Sequence, residues 1–280
     1  MIKRIIPRLD IKGPHVIKGI HLEGLRVLGK PEDFAQYYYE QGADELIYMD
    51  VVASLFGRNS LHETIARTAK HIFIPLTVGG GIRTLSDIRK VLRSGADKVS
   101  MNTAAIHNPS IISKAANMFG ASTICISIEA IKENDGRYLV YTDNGREYTG
   151  VEAISWAREA EKLGAGEIMI TSIDKEGTGE GFDVELTHAI TKVVSIPVIA
   201  CGGAGNMEDV AQVFLETQVS GAAIASLFHY EYISHHKFDR QYEEGNTEFL
   251  QSGRTYSKVS PCTIPQLKKY LIQKKIQSRI

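Results

Sequence analysis

The chain repeats itself at half length, and that repeat constrains the fold more than any single motif. Pro75 and Pro197 lie 122 positions apart, as do Gly80 and Gly202, and Gly81 and Gly203. Glu45-Leu46-Ile47-Tyr48-Met49 matches Glu167-Ile168-Met169-Ile170-Thr171 at the same spacing. The opening run from Ile5 to Asp10 matches Cys125 to Glu129 at an offset of 119. Self-similarity on this scale means two copies of one layered unit, each of which buries its apolar face only against the other.

Within each half, short apolar runs alternate with longer amphipathic ones. Strands are predicted near 4–10, 45–50, 74–78, 97–101, 123–129, 167–172, 197–201 and 221–225. They are rich in Ile and Val and lack clean alternation, as strands buried on both faces should be. Helices between them carry their own start signals: Pro31 before Glu32-Asp33, Thr84 with Asp87, and Asn108-Pro109. Further helices are predicted near 151–163, 184–193, 206–217 and 264–276. Eight βα units in two matched halves predict a single closed (βα)8 TIM barrel with a two-fold half-barrel repeat, and 280 residues suit one. An open doubly wound sheet is the alternative, but the first βα turn lacks G-x-G-x-x-G. Two stretches break the rhythm: a long loop over 11–30 and a polar inserted loop over 229–263. Both follow strand C-termini, the face where barrel enzymes work.

Several function classes are excluded. Formal net charge is −1, so no basic field awaits nucleic acid. No run approaches the ~18 apolar residues of a membrane span. Met1-Ile2-Lys3-Arg4 leads straight into a strand without a signal-peptide core, and Cys125, Cys201 and Cys262 are few and widely spaced. That pattern predicts a cytoplasmic protein with no metal site and no cofactor, in which Cys125 and Cys201 serve as buried packing.

In a barrel, strand C-termini converge on one mouth. Asp10 and Glu129 end equivalent strands of the two halves, and paired carboxylates there suit general acid and base work. The plainer use of either is an ion pair with Lys12, Lys18 or Lys132. Val78-Gly79-Gly80-Gly81-Ile82-Arg83 runs from strand into glycines and then helix, which leaves backbone N–H groups free for an anion. Gly202-Gly203 repeats the device, while Asn102-Thr103 and Ala225-Ser226 follow the neighbouring strands. Two anion sites on opposite sides of the mouth predict a ligand with a phosphate at each end and its middle between the carboxylates.

The longer motifs carry a resemblance. Arg8-Leu9-Asp10-Ile11-Lys12, Val78-Gly79-Gly80-Gly81-Ile82, Gly95-Ala96-Asp97-Lys98-Val99-Ser100 with Asn102-Thr103-Ala104-Ala105, Thr171-Ser172-Ile173-Asp174 and Gly202-Gly203-Ala204-Gly205 resemble the cyclase subunit of imidazole glycerol phosphate synthase. The resemblance covers about 1–230 and the last helix. It implies a half-barrel-duplicated barrel partnered by a glutaminase, whose ammonia crosses the barrel to a bisphosphorylated ribulosyl nucleotide. The implied products are imidazole glycerol phosphate and an aminoimidazole carboxamide ribotide. By motif, Asp10 resembles the catalytic aspartate, Lys18 the lysine of the first loop and Asp50 an acidic residue ending the second strand. Gly81, Asn102 and Thr103 match one phosphate site; Gly177, Gly203, Ala225 and Ser226 match the other. Arg4, Glu45, Lys98 and Glu167 match a charged gate where ammonia enters, or more plainly a ring of ion pairs that steadies the barrel floor.

Four departures stand out. Glu129 replaces the family's second aspartate, Glu176 replaces another, Arg8 replaces a small cysteine, and ordinary members lack the 229–263 insert. The added methylene of Glu129 moves its carboxylate by about 1 Å. A second possibility is a paralogue that conducts glutaminase-derived ammonia to a separate sugar amidotransferase in surface-polysaccharide synthesis. A non-catalytic scaffold is the third.

Overall fold

The computed structural model describes residues 2–53, 61–236 and 258–279. Eight parallel strands close into a barrel: β1 (Arg4–Lys12), β2 (Leu46–Asp50), β3 (Leu76–Gly79), β4 (Lys98–Met101), β5 (Ile124–Lys132), β6 (Glu167–Ser172), β7 (Val198–Cys201) and β8 (Gly221–Ile224). The ladder follows chain order, and β8 returns to β1 with Gly221 opposite Arg4. The (βα)8 barrel read from the sequence is therefore present, and each strand lies within a few residues of its expected place.

Alternation along each strand sorts side chains between lumen and helices. Ile6, Ile47, Met49, Met169, Ile199 and Ala223 pack in the lumen. Ile5, Leu9, Tyr48, Ile126 and Ile168 face outward into the larger core beneath the helices. Both sets are buried, which is why the strands show no polar face.

The repeat is geometric as well as sequential. Asp10 pairs with Met49 across β1 and β2, and Glu129 pairs with Thr171 across β5 and β6. These are the same two positions of each half. Gly80 and Gly202 both take positive φ, at 95° and 90°. The helix after each glycine turn opens on a complete capping box, Thr84 with Asp87 and Asn206 with Asp209, a device worth about 1 kcal/mol.

The structure corrects two expectations. The stretch over 11–30 is a β-hairpin extending β1, with strands His15–Ile20 and Glu23–Gly29. The second half has its counterpart in Tyr138–Thr142 and Glu147–Glu152, which extend β5. The insert expected as a loop over 229–263 begins as helix, since Ser226–His235 is helical. Burial explains this: Tyr232 lies 4.2 Å from the Phe34 ring, and Tyr38 Oη meets His229 Nδ1 at 2.6 Å. These contacts seal the helix against the one spanning Pro31–Glu40. Residues 237–257 lie outside the described residues. The chain then crosses the second-half loops, where the Ser260 N–H donates to the Gly205 carbonyl at 2.7 Å, and ends in the helix Ile264–Gln273. All three cysteines are buried. Among the described residues, no helix is long and apolar enough to cross a membrane, and no three His, Cys, Asp or Glu side chains gather as metal ligands.

Candidate active site and the ion-pair ring beneath it

At the N-terminal ends of the strands, four charges close a ring. Arg4 Nη1 lies 2.8 Å from Glu45 Oε2, and Arg4 Nη2 lies 2.6 Å from Glu167 Oε1. Lys98 Nζ bridges Glu45 at 3.0 Å and Glu167 at 2.9 Å. The four residues thus meet on strands β1, β4, β6 and the lead-in to β2. Thr77 Oγ1 also donates to Glu45 Oε1, at 2.7 Å. Burial opposes the charge on Arg4 and Lys98, but the two glutamates outweigh it and hold both cations above their ordinary pKa.

At the opposite end, Asp10 and Glu129 stand at the mouth. A cavity of about 460 Å3 opens on the Glu129 side, and Asp50, Gly81, Asn102 and Thr103 line it. Gly80 is fixed by packing: a Cβ there would stand 2.2 Å from the Asp50 carbonyl oxygen. Asn102 Nδ2 donates to the Tyr141 carbonyl at 3.1 Å, which ties the cavity wall to the β5 hairpin. The tip of that hairpin, Asp143 and Asn144, also lines the cavity.

The second half forms a much tighter space of about 10 Å3, bordered by Asp10, Glu176, Gly177, Gly203, Ala225 and Ser226. Gly203 needs its missing side chain, since a Cβ would meet the Gly181 carbonyl oxygen at 2.0 Å. Gly177 likewise lets the β1 hairpin settle, for a Cβ there would reach the Gly19 carbonyl oxygen at 2.6 Å.

The plainer reading of Asp10 needs a corrected partner. Its cation is Arg8, with Nε 2.9 Å from Asp10 Oδ1. Lys18 instead pairs with Glu176 at 2.6 Å, and Lys132 with Glu185 on the surface. Arg8 is 3% exposed and borders both cavities. Its Nη1 reaches Thr171 Oγ1 at 3.5 Å and Cys201 Sγ at 3.1 Å. Sequence reasoning marked Arg8 only as a departure. Its position two residues before Asp10, on the same strand face, was the signal that the two could pair. Glu176 was likewise missed as a partner of Lys18.

The two mouth carboxylates live in unlike surroundings. Glu129 is 4% exposed, and its Oε2 has no hydrogen-bond partner. Burial pushes its carboxyl from 4.5 up to about 7, with Arg8 opposing the rise and Asp10 adding to it. A carboxyl that titrates near neutrality, beside one that accepts a hydrogen bond from an arginine, suits an acid–base pair. Glu176 shows the contrary balance. Burial alone would raise it, but Lys18 and Arg8 hold it below the usual carboxylate range.

Residues 4–234 match the family model described as "Histidine biosynthesis protein". A Legionella pneumophila protein named imidazole glycerol phosphate synthase subunit HisF is 59% identical over 206 residues, covering 74% of this chain and 97% of that one. The subunit of the same name from Alkaliphilus metalliredigens is 48% identical over 232 residues, with 83% and 92% of the two chains covered. That from Lactococcus lactis subsp. cremoris is 49% identical over 229 residues, with 81% and 88% covered.

Proposed function

The chain belongs to the HisF family of imidazole glycerol phosphate synthase subunits, and we propose that it takes ammonia from a partner glutaminase to close the imidazole ring of a bisphosphorylated ribulosyl nucleotide in the cytoplasm. The observation that carries the reading is the axis of the barrel. A four-charge ring lies at one end, and at the other two symmetry-equivalent carboxylates stand between two glycine-walled spaces. One phosphate fits against Gly81, Asn102 and Thr103, and the other against Gly177, Gly203, Ala225 and Ser226. Backbone N–H groups at glycine turns and helix starts supply the donors. Asp10 and Glu129 then flank the reacting middle of the nucleotide. In the ground state Asp10 is engaged by Arg8, and Glu129 carries the proton-exchanging role near neutral pH. Lys18, held by Glu176, closes the β1 hairpin over the second phosphate.

One observation favours a second reading. Arg8 is buried just below the mouth and occupies Asp10, which suits a barrel that passes ammonia on to a separate sugar amidotransferase. Purified protein given ammonium salt and the ribulosyl nucleotide decides between them. Cyclisation that disappears in Asp10→Asn and survives in Glu129→Asp supports the synthase. No cyclisation, with amidation of a sugar acceptor intact when the glutaminase and amidotransferase are supplied, supports the conduit.

A further inference from the structure

The two halves differ most sharply one lumen position below their rim carboxylates. That position holds Arg8 in β1, and by the repeat spacing its counterpart in β5 is Ser127. The surrounding walls differ in the same sense. On β6, β7 and β8 the lumen face carries Met169, Ile199, Cys201 and Ala223, and the Thr171 hydroxyl there is met by Arg8. On β3, β4 and β5 it carries the hydroxyls of Thr77, Ser100 and Ser127 alongside Cys125. Thr77 is bonded to the ring at Glu45. The Ser127 hydroxyl is buried and has no partner, and the buried Ser100 hydroxyl has only the weak Cys125 thiol beside it. Ser100 lines the large cavity, and the Glu129 Oε2 above it is also unpartnered. Buried polar atoms without partners are costly, and a column of them beneath an open cavity is what a small polar guest would satisfy.

Arg8 lies on the other side. Its side chain crosses from β1 towards β6 and β7 and ends on Thr171 and Cys201 of that wall. The space beyond it is the tight one. We propose that Arg8 is a positioning residue that decides where the lumen opens: it closes the β6–β7 side, so that ammonia leaves along Ser100 and Ser127 beside Glu129. This rests on the reading that ammonia enters through the ring, and it holds whichever acceptor finally takes the ammonia. Ammonia delivered at Glu129 arrives beside a carboxyl whose buried Oε2 is unpartnered, and away from the carboxylate that Arg8 occupies.

The test uses the complex with its glutaminase and the variants Arg8→Met and Arg8→Lys. If Arg8 closes the second exit, Arg8→Met lets ammonia escape, and glutamate forms in at least about two-fold excess over product. Arg8→Lys, which keeps the bulk and charge, restores most of the coupling. A ratio in Arg8→Met equal to that of the unmodified complex overturns the proposal. If the complex forms no product at all, the cyclase reading has failed, and crystals of the unmodified chain then decide this one. Ordered water confined to the wall of Thr77, Ser100 and Ser127 supports it. Water beside Met169 and Cys201, or a dry hydroxyl wall, overturns it.

Discussion

Lys18 Nζ stands 2.6 Å from Glu176 Oε1, with both side chains buried between the β1 hairpin and the loop after β6. The same junction is sewn by backbone: the His21 N–H donates to the Glu176 carbonyl at 2.8 Å. One residue thus holds Lys18 through its side chain and His21 through its backbone.

Glu176→Gln should therefore loosen the hairpin. It leaves the Lys18 ammonium buried opposite a neutral amide, and removing one partner of a buried pair costs about 3–5 kcal/mol. Chemical denaturation should show the loss at neutral pH. Because the Glu176 carboxyl is lowered in the fold, the pair's contribution is present above its unfolded pKa. It fades as pH falls through the folded one, so variant and parent should converge in acid.

Glu129 should show the opposite sign. Its folded carboxyl lies near 7, against 4.5 for the ordinary group, so the fold binds the proton more tightly than the unfolded chain does. Stability is then lost as pH rises from 4.5 to about 7, by about 3 kcal/mol in all. Glu129→Gln should flatten that slope and leave the protein more stable than its parent above neutral pH. Thermal unfolding on both sides of this window measures it.

Lys98→Glu should break the ring, because it sets a third carboxylate against Glu45 and Glu167. Glutamine-dependent activity should fall at least ten-fold, about 1.4 kcal/mol or more of barrier. Activity supported by ammonium salt, which can enter at the mouth, should fall less. Parallel assays with the two nitrogen sources read the difference.

Gly80→Ala should damage the first-half cavity. Gly80 has φ 95°, and the added methyl would meet the Asp50 carbonyl at 2.2 Å. The left-handed backbone alone costs about 1–2 kcal/mol, and the clash displaces the end of β2. Titration with inorganic phosphate and with substrate should show weakened binding alongside a lowered Tm.

Much of this was legible in the chain. The alternation of apolar runs located the eight strands, the repeat located the shared rim position of Asp10 and Glu129, and the family resemblance brought Arg4, Glu45, Lys98 and Glu167 together. The two hairpins were not read, although Asp143-Asn144-Gly145 carries the turn chemistry of one: all three residues take positive φ. The helix Ser226–His235 was hidden because His229 and Glu231 look like surface residues, whereas packing against Tyr38 and Tyr37 buries them. Arg8 was seen but not placed. Its reach to Thr171 and Cys201 depends on barrel closure, which brings together residues far apart in the chain.

The matched pairing of Asp10 with Met49 and of Glu129 with Thr171 separates form from content. One scaffold supplies the same coordinates twice, and the occupants of those coordinates have diverged: aspartate beside an arginine in one copy, glutamate above a serine in the other. A duplicated backbone can in this way hold two unlike environments across one mouth without any new geometry. The handedness of the mouth is then a property of a few side chains, and exchanging Arg8 with Ser127 would rewrite it while leaving the barrel as it is.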